Sequence, residues 1–335
     1  MAGRDELLEL LRPPAHRGPL IAAGAVVLTA GIALEEARLD DELPTFVHVL
    51  VLGLAAALVL GLGLLASRDG GAPSPPQSVL LVAGLLLLAG ALLRLADLLG
   101  GDGGLAAGTL VWTSVVLAVV AAYASVRCDT AICTMIAGLA AGVTVLAGAN
   151  WLLGAASQTT YRWLLLALAV GFALASLVLR GARPRHAELM VVTGGLATLA
   201  IFVLGALRAL IGVFGPVFAE GILPGFWELV LLVAGCGLIA YGAVDRVPGA
   251  AWLGVANLAA FIVAASAGAD DTLLWWPMLL LLLGGGALAA GLRPRTPLPP
   301  EPAGYAVERP LASRTGDRDE VAVRVRNAVP LGCGA

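Results

Sequence analysis

Between Ala131 and Arg180 the chain reads AICTMIAGLAAGVTVLAGANWLLGAASQTTYRWLLLALAVGFALASLVLR. Two apolar runs, 131–154 and 161–180, flank a short polar step, Ser157 to Thr160, and the second run closes on Arg180. Each run has the length of about 20 helical residues that a hydrocarbon core of ~30 Å requires. Between Ala131 and Leu179 the only charged residue is Arg162. Lipid offers the backbone no hydrogen bonds, so a run of this kind must satisfy its own N–H and C=O groups as a helix.

The same unit recurs along the chain. Apolar runs cover 19–36, 43–66, 78–100, 105–126, 131–154, 161–180, 187–213, 222–244, 250–268 and 273–292. Taken in order they form five pairs, which leave the apolar region at Arg68, Arg127, Arg180, Arg246 and Arg293. The expected fold is therefore all-α: a polytopic transmembrane bundle of about ten spans in five sequential hairpins. A duplicated hairpin would produce this alternation. So would any ten-span chain with its positive residues on one side, and the sequence leaves both open.

Composition agrees. The hydrophobic fraction is 59%, mean hydropathy is +0.94 and 13% of residues are charged, whereas soluble domains carry about a quarter charged residues. All 20 basic residues are arginine. With a net charge of −3 and one tight basic cluster, Arg180, Arg183 and Arg185, no nucleic-acid partner is expected. Cys128 and Cys133 are spaced too widely for a Cys-x-x-Cys redox pair and read as small buried helix residues.

The arginines predict orientation. Arg4, Arg12, Arg17, Arg68, Arg127, Arg180, Arg183, Arg185, Arg246, Arg293 and Arg295 fall on one side of the expected spans; only Arg38 and Arg162 fall on the other. Positive residues stay inside, so both termini are expected in the cytoplasm and the protein in the cell membrane, with the lipid bilayer as its first partner. Residues 1–18 read as an amphipathic cytoplasmic segment ending around Pro13 and Pro14, with no cleavable leader. Residues 293–335 read as a cytoplasmic tail, proline-rich at its start and mostly disordered, which is the candidate docking element for a protein partner.

Ionisable residues inside spans are the default functional candidates. Arg94 and Asp97 stand three apart on one helix face and can pair. With Asn150 and Arg208 they form a candidate intramembrane polar site in the outer half of the bundle, suited to an anionic group. The acidic stretch Glu35 to Glu42 reads as a solvated outer loop, since it lacks the spacing of a calcium loop. His16, His48 and His186 have no serine, cysteine or aspartate at a diagnostic spacing. No phosphate loop, zinc motif or dinucleotide fingerprint occurs, so no cofactor, metal or catalytic residue is assigned. Gly138 and Gly142 make a small-residue face for helix packing, and the tryptophans mostly fall near span ends.

Gly138 to Arg180, with Ala149-Asn150-Trp151 before its turn, resembles parts of uncharacterised multi-span membrane proteins of actinobacteria. So does Trp275-Trp276-Pro277 followed by the run to Arg293-Pro294-Arg295. The resemblance implies a membrane location and carries over no activity. The sequence reading is a non-enzymatic membrane scaffold or partner subunit, with a secondary transporter for a small, anionic solute as the rival. An enzyme would call for His48 gathered with outer carboxylates around a metal.

Overall fold

The computed structural model describes residues 18–38, 43–66, 74–100, 106–154, 156–211 and 223–267. The chain divides into two units, Met1–Leu273 and Leu274–Ala335, and every described helix belongs to the first. The expected N-terminal segment, the tenth run (273–292) and the tail (293–335) lie outside the described residues.

The described residues form nine helices: α1 (Gly18–Arg38), α2 (Thr45–Leu65), α3 (Pro75–Leu98), α4 (Ala107–Cys128), α5 (Ala131–Leu153), α6 (Gln158–Leu179), α7 (Pro184–Ile211), α8 (Gly225–Val244) and α9 (Pro248–Ala267). All nine are long and apolar enough to cross a membrane, and the described residues contain no strand. Many of their large apolar side chains face outward, such as Val178 at 81% exposure and Leu152 at 77%. In water that surface would drive aggregation; in lipid it is solvated. The chain is an all-α, multi-pass membrane protein.

Prolines set several helix starts. Pro75, Pro184 and Pro248 are the first residues of α3, α7 and α9, and Pro44 and Pro224 immediately precede α2 and α8. Proline at the first helical position loses no hydrogen bond and has its φ already near the helical value. For this reason α3, α7 and α9 begin two or three residues before the apolar runs do. Ser157 caps α6 by accepting from the Thr160 N–H at 3.2 Å. Asp129 (φ 54°) turns the chain between α4 and α5 within two residues.

The closest helix pairs are shifted by one from the pairs read in the sequence. They are α2 with α3, α4 with α5, α6 with α7 and α8 with α9, each pair consecutive in the chain and joined at the end where Arg68, Arg127, Arg180 or Arg246 falls in the sequence. By contrast α1 packs chiefly on α3 and hardly on α2. Hydropathy marks where the chain leaves lipid, whereas contact is decided by which faces carry small residues. The α8–α9 seam shows this. A Cβ on Gly242 would lie 2.7 Å from the Ala251 backbone nitrogen, and one on Gly254 would lie 2.8 Å from the Gly235 carbonyl oxygen. Only hydrogen fits there, and dispersion between the touching backbones holds the pair together. Gly138 likewise packs within the chain: a Cβ there would stand 3.2 Å from Thr193 of α7 and 3.4 Å from Phe172 of α6.

Two apolar cores result. Ala25 of α1, Leu52, Ala56 and Val59 of α2, and Leu80, Ala83, Leu87 and Ala91 of α3 make the first. Leu81 and Leu85 of α3 join Ala121, Ala124 and Cys128 of α4 and Cys133 of α5 in the second. Polar side chains inside the bundle bond across helices. Ser114 and Thr144 link α4 to α5 at 2.8 Å, and Gln77 donates to the Gly63 carbonyl at 3.0 Å. Thr198 of α7 donates to Asn257 Oδ1 of α9 at 2.9 Å, while Asn257 Nδ2 donates to Gly195 O at 3.3 Å and Leu253 O at 3.0 Å.

Candidate functional site at the acidic end of the first three helices

α1 runs on to Arg38, so Glu35 and Glu36 belong to its last turn and not to a solvated loop. The helical turn carries Glu36 inward, where its side chain is 13% exposed. His48, in the first turn of α2, is buried against it with Nδ1 2.9 Å from Glu36 Oε2. From α3, Arg94 brings Nε to 3.4 Å from the same oxygen. These distances allow charge attraction, yet neither nitrogen is aligned to hydrogen-bond Glu36 Oε2, which is buried without a hydrogen-bond partner. Asp97 Oδ1 and His48 Nε2 are in the same condition.

Glu36, Arg94 and Asp97 line a cavity of about 560 Å³ between α1 and α3 whose other walls are mainly apolar, Leu52, Leu86 and Leu87 among them. Glu36 and His48 also line a neighbouring cavity of about 460 Å³ between α1 and α2. A third, of about 730 Å³, continues along the α1–α3 seam toward the arginine-rich end. It shares Thr29, Ala33 and Leu86 with the first and reaches Ser78, Asp129 and Arg185.

Two of the four residues singled out in the sequence, Arg94 and Asp97, thus line one cavity. Asn150 sits in the last turn of α5, half-buried, with its carbonyl accepting the Gly154 N–H at 3.0 Å, and it does not line that cavity. Arg208 falls in the last turn of α7, and its side chain lies outside the described residues. Sequence spacing does not single out Glu36 and His48 as a pair, because they stand twelve positions apart in two different apolar runs. The available signal is a carboxylate at the end of one span facing a histidine at the start of the next. They do meet, but among the described residues no three histidine, cysteine or acidic side chains are grouped to hold a metal ion.

A second polar centre lies at the arginine-rich end. His186 of α7 is 4% exposed, with Nδ1 2.5 Å from Thr134 Oγ1 of α5 and 3.4 Å from Ser125 Oγ of α4. Its Nε2 lies 3.0 Å from Asp129 Oδ1, and Ser125 and Thr134 are 2.6 Å apart. His186 meets partners 52 to 61 positions away in the chain, so no local spacing could reveal this centre. It ties three helices together and fills both ring nitrogens of the histidine. No protein-family model matches the chain, and no curated protein matches its sequence.

Proposed function

We propose that the protein is a non-enzymatic component of the cell membrane, a scaffold or partner subunit, with both termini in the cytoplasm. The observation that carries this reading is how the interior is used. The polar groups of Ser114, Thr144, Thr198 and Asn257 are engaged in bonds between helices, and the α8–α9 seam is closed by backbone contact. Polar groups spent on joining helices are not offered to a solute, which supports a packed bundle that positions others. The orientation rests on the arginine bias, and the tail at 293–335 is the proposed docking element.

The rival is a secondary transporter. The cavity at Glu36, Arg94 and Asp97 favours it, as a charged recess at the acidic ends of α1 and α3. Two measurements separate them. Purification of the full chain in native lipid after cross-linking, with and without residues 293–335, should give a protein partner whose recovery needs the tail. A solute gradient across proteoliposomes that the chain dissipates, with no partner recovered, would replace the scaffold by the transporter.

A further inference from the structure

Lipid gives apolar helices no hydrophobic reason to associate, so a span is held in place by close packing and by polar contacts. Along α1 the packing is thin. Among its described side chains only Ala22 and Ala25 are buried, both in its first half. Ala25 joins the first apolar core, and beyond it Ile32 packs on that core only partly buried. A Cβ on Gly24 or Gly31 would meet nothing within 4 Å, unlike one on the glycines of the α8–α9 seam.

Cavities border the second half of α1 on both sides. The one of about 560 Å³ lies toward α3, with Thr29, Ala33 and Glu36 in its wall; the one of about 460 Å³ lies toward α2, with Gly31, Ile32 and Glu35. The one of about 730 Å³ extends the first past Val26 and Ala30. Acyl chains entering such gaps solvate α1 as well as they solvate its outer face, so packing there does not favour the docked position. What holds that half is charge. Glu36 Oε2 lies 2.9 Å from His48 Nδ1 of α2 and 3.4 Å from Arg94 Nε of α3. The Glu36 and His48 side chains are 13% and 4% exposed, so little water weakens the attraction. One carboxylate thus ties α1 to both of its neighbours.

We propose that α1 is a lateral gate. It pivots about Ala22 and Ala25, and the contact of Glu36 with His48 and Arg94 latches its acidic end shut. Release of the latch swings that end away from α3. The cavities of about 560 and 730 Å³, which already share Thr29, Ala33 and Leu86, then open as one groove facing lipid. Glu36 is a positioning residue in this device. The gate goes beyond the scaffold reading and does not depend on it.

The test is a pair of spin-label distances in the full chain in nanodiscs, with its native cysteines replaced. Labels at Leu34→Cys and Leu152→Cys, both exposed, report the acidic end of α1 against α5; labels at Leu20→Cys and Val126→Cys, also exposed, report its other end against α4. Glu36→Gln should add an outer population displaced by roughly 5 Å or more, the size of the larger helix shifts in switching proteins. Arg94→Gln should do the same, and the inner distance should stay fixed in both. Asp245→Asn, far along the chain at the α8–α9 turn, should move neither distance. An outer distance unmoved in the folded Glu36 and Arg94 variants would overturn the proposal. So would equal movement of both ends, which means that α1 leaves as a whole, or movement caused by Asp245→Asn. If neither latch variant folds, the unaltered chain decides: its outer distance must be spread more widely than its inner one, and equal widths would overturn the gate.

Discussion

Asn257 is the residue whose loss the bundle should feel most sharply. It is fully buried and bonds to Thr198 Oγ1, Gly195 O and Leu253 O, so it joins α7 to α9 at their middles. Asn257→Leu removes those bonds and leaves the Thr198 hydroxyl with the Gly195 carbonyl alone. A cost of about 1–3 kcal/mol is expected, the usual range for an interhelical bond lost with a buried group left behind, and it would appear as a lowered midpoint of unfolding in detergent. His186→Leu should cost a similar amount, ~1–3 kcal/mol, because Asp129, Thr134 and Ser125 all lose their shared partner. By contrast Arg180→Gln removes an ion pair to Asp245 at 2.7 Å that is half-exposed, and less than about 1 kcal/mol should follow. At this scale the sequence was legible only where chemistry and position coincide. Arg94 and Asp97 stand out as charges inside an apolar run. Asn257 and His186 gain their meaning from residues far away in the chain, which no pattern of spacing encodes.

At the scale of the helix, hydropathy was sufficient for existence and near-sufficient for extent. Apolar runs of span length can be nothing but helices in lipid, and the described ones are. Their ends were displaced by a few residues wherever proline opens a helix in polar sequence, as at Pro184-Arg185-His186, since capping obeys backbone sterics and not hydropathy. The partner choice of each helix was not legible. Arginines report where the chain emerges, whereas Gly242 against Ala251 and Gly254 against Gly235 decide which helices touch. Gly242→Ala tests this. The added methyl would meet backbone, which cannot yield as a flexible side chain does, and a loss of about 1–3 kcal/mol is expected from forced separation of α8 and α9. Gly171→Ala, where a methyl meets open space, should leave stability unchanged or raise it by up to roughly 1 kcal/mol through helix propensity. A paired unfolding measurement on the two variants would show whether contact or propensity governs these seams.

The whole molecule follows from its solvent. Apolar side chains such as Leu20, Val178 and Trp252 point outward because lipid solvates them, while the interior mixes large side chains such as Leu81, Leu231 and Phe261 with alanine, glycine and small hydroxyls, which let helices approach. If lipid is that solvent and the arginines mark the inner face, α6 crosses the membrane from the acidic side at Gln158 to the arginine side at Arg180. Cysteine labelling across that one helix is the most direct measurement. In a chain with its native cysteines replaced, Thr159→Cys and Ala182→Cys mark the two ends of α6, both exposed. In intact cells a membrane-impermeant maleimide should react at position 159 and reach position 182 only after lysis. Equal labelling of both positions in intact cells, or reaction at 182 alone, would contradict it.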